Sequence, residues 1–82
     1  MNWRISRTEH TMQAILDLPV DAQLALLDLF DALEADPYAV TEPHGIDDKL
    51  TREAAFGEYG LLVMFVNPLT MRITPLSFMW AG

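Results

Sequence analysis

Residues 59–66 read as a β-strand that is apolar on both faces. Tyr59, Leu61, Val63 and Phe65 fall on one side of it, and Leu62, Met64 and Val66 on the other. A strand with two apolar faces needs cover on both, which puts it in the centre of a sheet. Around it, residues 51–80 extend the pattern to three consecutive antiparallel strands. Gly57-Glu58 supplies the first turn, Gly57 being able to take a positive φ. Asn67-Pro68-Leu69-Thr70 supplies the second, and residues 71–76 return beside the central strand.

The sequence upstream is of a different kind. Trp3-Arg4-Ile5-Ser6-Arg7 alternates, with Trp3 and Ile5 inward and Arg4 outward, as in a half-buried strand. A short helix is expected over residues 9–18, capped by Thr8 or Thr11, with Met12, Ile15 and Leu16 on its apolar side. Pro19 breaks it. A second helix, capped by Asp21 or begun by Pro19 at its first position, runs to about residue 35. Leu26, Leu29, Phe30 and Leu33 form its core stripe. Asp17, Asp21, Asp28 and Asp31 gather on the other side, with Leu24 among them. The plain account of that stripe is a solvated face, and the sharper one is a docking surface for a basic partner. Pro37 ends the helix, and residues 39–48, with Pro43 and Gly45, read as a loop. The expected fold is therefore α+β: an N-terminal strand, two helices, then a three-stranded antiparallel meander. Both helices pack on one face of a four-stranded sheet, and one domain covers residues 1–82 of the 82.

Composition narrows the function. There is no cysteine, which removes disulfides, thiol nucleophiles and thiolate metal sites and suits a reducing cytosol. The first ten residues lack a signal-peptide run, and Pro68, Arg72 and Pro75 interrupt the most apolar stretch. The reading is a soluble cytoplasmic protein with no membrane association. Twelve acids against five Lys and Arg give a formal net charge of -7. Binders of nucleic acid draw affinity from Lys and Arg contacts to phosphate. Bulk attraction to RNA, DNA or the ribosome is thus disfavoured, leaving at most a local patch around Lys49 and Arg52. An acidic surface also simply keeps a domain soluble. His10 and His44 with Asp47 and Asp48 match no metal-ligand spacing, and neither a metal nor a cofactor is expected.

The order of elements resembles the RelE/ParE superfamily, the small toxins of bacterial type II toxin–antitoxin pairs. The local words are similar too: Leu18-Pro19 between the helices, Leu33-Glu34-Ala35-Asp36-Pro37 at the end of the second, Gly57-Glu58-Tyr59 leading into Leu61-Leu62-Val63, and Met71-Arg72-Ile73-Thr74-Pro75-Leu76 in the closing strand. The resemblance covers nearly the whole chain. It implies a toxin-like component neutralised by a partner antitoxin, bound through an amphipathic helix on an apolar strip of the sheet or second helix. It also implies an mRNA endoribonuclease activity. The alternative is a non-catalytic protein-binding or regulatory domain on the same fold.

The family's basic residues are sparse here. The Arg that usually follows the Gly-x-Tyr word is Gly60, the basic residue at the end of the last strand falls near Trp80, and the sequence stops at Gly82 without the usual C-terminal tail. Elimination within the resemblance leaves Arg52 and Arg72 as charge-stabilising groups, with Tyr59 or His44 for proton transfer. Arg52 shares a face with Leu50, Ala54 and Phe56 and Arg72 shares one with Thr74; alternation alone leaves open whether the two faces coincide. His44 could equally be solvated loop surface. Three readings follow: an active toxin with a rearranged site, a toxin-like fold that kept binding and lost the chemistry, or a gyrase-directed member that acts by binding. Trp80 either lids the sheet or meets a partner, and Met64, Met71 and Met79 fill core gaps.

Overall fold

The structure is a computed structural model and describes residues 3–45 and 50–82. In chain order the elements are β1 (Arg4–Ile5), α1 (Glu9–Leu16), α2 (Val20–Ala35), α3 (Pro37–Val40), β2 (Glu42–Pro43), β3 (Thr51–Phe56), β4 (Gly60–Asn67) and β5 (Arg72–Trp80). They form one five-stranded sheet in the order β1-β5-β4-β3-β2. β1 runs parallel to β5, and every other neighbour is antiparallel. The α+β order, the meander and its central strand agree with the sequence reading. Among the described residues no helix is long and apolar enough to cross a membrane.

Local chemistry accounts for the breaks. Thr8 caps α1, its Oγ1 accepting from the Thr11 amide at 3.2 Å. The helix ends at Leu16, two residues before the expected end, and it buries Thr11 and Ile15 while Met12 and Leu16 are exposed. Pro19 occupies the N-cap of α2 without a side-chain bond, and Asp21 sits in the first turn instead of capping. Asp36 ends α2 and caps α3 through the Tyr38 amide at 3.1 Å. Pro37 opens α3 at a position where its missing N–H costs nothing. The expected loop over 39–48 thus starts with the end of a helical turn and an edge strand. Gly57, at φ 66°, starts the three-residue turn between β3 and β4. Tyr59, expected in the central strand, lies in that turn and is 57% exposed. Asn67 Oδ1 accepts from the Leu69 amide at 3.0 Å in the second turn.

The core lies between the helices and one face of the sheet. Trp3 and Ile5 from β1, Ile15 from α1, and Leu26, Leu29, Phe30 and Leu33 from α2 meet Ala54, Phe56, Leu62, Met64, Val66 and Ile73 from the sheet. Full burial of each large side chain contributes about 1.5–3 kcal/mol. Trp80 packs against this core, stacked on Phe56 with ring centroids 5.7 Å apart.

The double-sided cover expected for the central strand is the main departure. Leu62, Met64 and Val66 lie under the helices with no exposed surface. The opposite face, carrying Leu61, Val63 and Phe65, has no layer over it among the described residues. On this face Val63 is nonetheless 8% exposed, and Leu61 and Phe65 are half-buried.

Candidate functional site

The strand register defines the residues of this open face. Phe65 pairs with Thr51 and Thr74, Val63 with Glu53 and Ser77, and Leu61 with Ala55 and Met79. A shift in register between Val63 and Met64 leaves Leu76 as an extra residue on β5, 56% exposed. The middle strand of the face is therefore apolar, flanked by polar residues beside Val63 and Phe65 and by Ala55 and Met79 beside Leu61. At one edge Glu42 pairs with Glu53, and the Glu53 carboxylate meets His44 Nδ1 at 2.8 Å. Toward the opposite edge Arg72 lies beside Asn67 and Arg4, and its Nη1 donates to Ser6 Oγ at 3.3 Å. A cavity of about 420 Å³ opens next to the first edge, with Val40, Thr41, Glu53, Ala55 and Leu61 among its walls.

The four sequence candidates do not assemble into one site. Arg52 pairs with Met64, so it lies on the helix side of the sheet, whereas Arg72 lies on the open side. The question that alternation left open is answered: the two faces are opposite. The Arg52 Nε and Nη2 donate to Thr41 Oγ1 and Thr41 O, and its guanidinium sits 5.2 Å from the centre of the Tyr38 ring. Thr41 Oγ1 in turn donates to Pro37 O at 2.7 Å. These contacts make Arg52 a clasp that ties α3 and β2 to β3. Tyr59 stands at the end of the sheet, its ring edge-on to Trp80 at 6.1 Å. Only His44 and Arg72 remain on the open side, three strands apart in the sheet order. Lys49, Asp47 and Asp48 lie outside the described residues.

Gly60 explains why no arginine follows the Gly-x-Tyr word. It is buried opposite Trp80, and a Cβ there would run into the Phe56 carbonyl and come within 2.6 Å of its ring. The Phe56 carbonyl and ring occupy the space that a side chain would need. Sequence reasoning missed Glu53 as the partner of His44. The signal was weak, because the pair depends on β2 lying beside β3, and β2 sits in a Pro- and Gly-containing stretch.

Chemically, a carboxylate holding an imidazole is the arrangement of an oriented base. An apolar strip rimmed by polar groups is the arrangement of a protein-binding surface. The open face holds the second in its centre and the first at its edge.

Neither a protein-family model nor a curated protein matches the chain. Solved structures do. A chain of the RelBE2 toxin–antitoxin complex from Mycobacterium tuberculosis superposes with a TM-score of 0.81, covering 99% of this chain and 100% of that one at 16% identity. A chain of the archaeal RelE–RelB complex from Pyrococcus horikoshii gives 0.75, covering 100% and 98% at 22% identity. At these identities the likeness is one of fold, and the fold of this chain is RelE-like.

Proposed function

We propose that the chain is a toxin-like component of a type II toxin–antitoxin pair, neutralised in the cytoplasm by a partner antitoxin. The observation that carries this reading is the open apolar face of β4, on a fold shared end to end with chains of two toxin–antitoxin complexes. Leu61, Val63 and Phe65 form a strip suited to an amphipathic segment of a second protein. Co-expression with the product of the adjacent reading frame tests it. The two proteins should co-purify, and Leu61→Asp with Phe65→Asp should abolish the pairing while the chain stays folded. Undiminished co-purification of the double variant would remove the open face from the reading.

An mRNA endoribonuclease activity is the second reading, favoured by the His44–Glu53 pair at the edge of that face. In it His44 acts in proton transfer and Arg72 stabilises charge, Tyr59 being the other proton-transfer candidate. Arg52 serves the fold rather than the chemistry. Transcripts mapped after induction should show cuts that vanish in His44→Ala. Loss of a charge-stabilising group costs about 2.7–4 kcal/mol, so Arg72→Ala should slow cleavage by about two orders of magnitude or more. If both variants cut like the parent, or the parent cuts nothing, the chain acts by binding.

A further inference from the structure

The helical layer carries a second unpartnered surface, on the side of α2 away from the sheet. Val20, Leu24 and Leu27 succeed one another at helical spacing and are 71%, 60% and 48% exposed. Residues at this spacing share one face of a helix. Asp31, one turn beyond Leu27, closes the line, and Asp21 and Asp28 flank it on one side. All three are exposed. The stretch 9–35 holds Glu9, Asp17, Asp21, Asp28, Asp31 and Glu34 and not one Lys or Arg. The core does not account for the leucines, since α2 already buries Ala22, Leu26, Leu29, Phe30 and Leu33 on its other side.

Charge decides between occupants. A second copy meeting this face about a two-fold axis would set Asp21, Asp28 and Asp31 against their own counterparts, with no cation on either helix to offset them. At physiological salt such repulsion is screened only beyond about 8 Å. An anionic membrane is repelled for the same reason. A helix with an apolar stripe and Lys or Arg on its flanks satisfies both features at once. The leucines are desolvated against its stripe, and the aspartates meet its cations.

We propose that the outer face of α2, centred on Leu24 and edged by Asp21, Asp28 and Asp31, is a docking surface for a basic amphipathic helix of a partner protein. The surface is separate from the open sheet face and does not depend on the toxin reading. The run from Val20 to Asp31 is about 16 Å long, so about three turns of partner helix suffice to cover it.

The test uses the full chain and two synthetic helical peptides with the same leucine stripe. One carries Lys and Arg on its flanks, and the other carries Glu. Titration followed by amide and methyl NMR should shift Val20, Leu24 and Leu27 with the basic peptide and leave Leu61 and Val63 unmoved. The acidic peptide should not bind. Leu24→Gln should weaken the basic peptide about tenfold or more, as loss of a central anchor does. Asp21→Lys with Asp28→Lys should weaken it further and flatten its salt dependence. All of these sites are exposed, and circular dichroism checks that the variants fold. Equal binding of both peptides, shifts on β4 instead of α2, or leucine-dependent self-association without peptide binding would each overturn the proposal. A failure here leaves the co-purification test of the sheet face untouched.

Discussion

At Gly60 the constraint is steric. A β-carbon there meets the Phe56 carbonyl, which is backbone and cannot swing aside. Gly60→Ala is therefore expected to destabilise the fold by about 1–3 kcal/mol, the usual cost of overpacking. Chemical denaturation reads this directly, and an unchanged midpoint would show that the turn relaxes freely. Arg52 is the second residue whose role differs from its promise. As one of few cations on the sheet it invites a catalytic reading, yet its guanidinium is held by Thr41 and lies over the Tyr38 ring. Arg52→Ala should cost about 1–3 kcal/mol by removing its two hydrogen bonds to Thr41. Arg52→Lys should recover little of it, because a lysine cannot donate along two directions of a planar fork. A neutral effect of Arg52→Ala on stability would break this assignment.

Among the elements, α2 was the most legible and β2 the least. The stripe of Leu26, Leu29, Phe30 and Leu33 announced a helix face, and all four are buried. Phe30→Ala should cost roughly 3–5 kcal/mol, a large share of the stability of so small a fold. A cooperative unfolding curve that barely moves would contradict the packing. Legibility failed where proline was read only as a breaker. Pro37 starts α3, and Pro43 sits on an edge strand, where its missing N–H is tolerated. The pairing of His44 with Glu53 depends on that edge strand and stayed hidden with it. The opposing faces of Arg52 and Arg72 were hidden for another reason. Alternation sorts residues within one strand, and only the register between strands relates β3 to β5. The two apolar faces of β4 correctly placed it in the middle of the sheet. They also implied a second covering layer, and its absence among the described residues turns a packing expectation into a candidate interface.

Across the whole molecule, charge is divided between the layers. α1 and α2 carry Glu9, Asp21, Asp28, Asp31 and Glu34 and no Lys or Arg, with Arg7 packed on α2 beside Glu34, while Arg4 and Arg72 sit on the open face of the sheet. Two cations at one edge of the sheet, with Glu42 and Glu53 toward the other, make a poor track for a polyanion. Binding to single-stranded RNA should accordingly be weak with a shallow salt slope. Tight binding that falls steeply with salt would point to a concentrated basic patch. The molecule thus presents two apolar surfaces of different character, a strip on the sheet and an acid-edged leucine line on α2. Growth after induced expression, with and without the product of the adjacent reading frame, tests the toxin-like account most directly. The account predicts arrest when the chain is expressed alone and recovery when the partner is supplied. Normal growth under strong expression of the folded chain alone would contradict it.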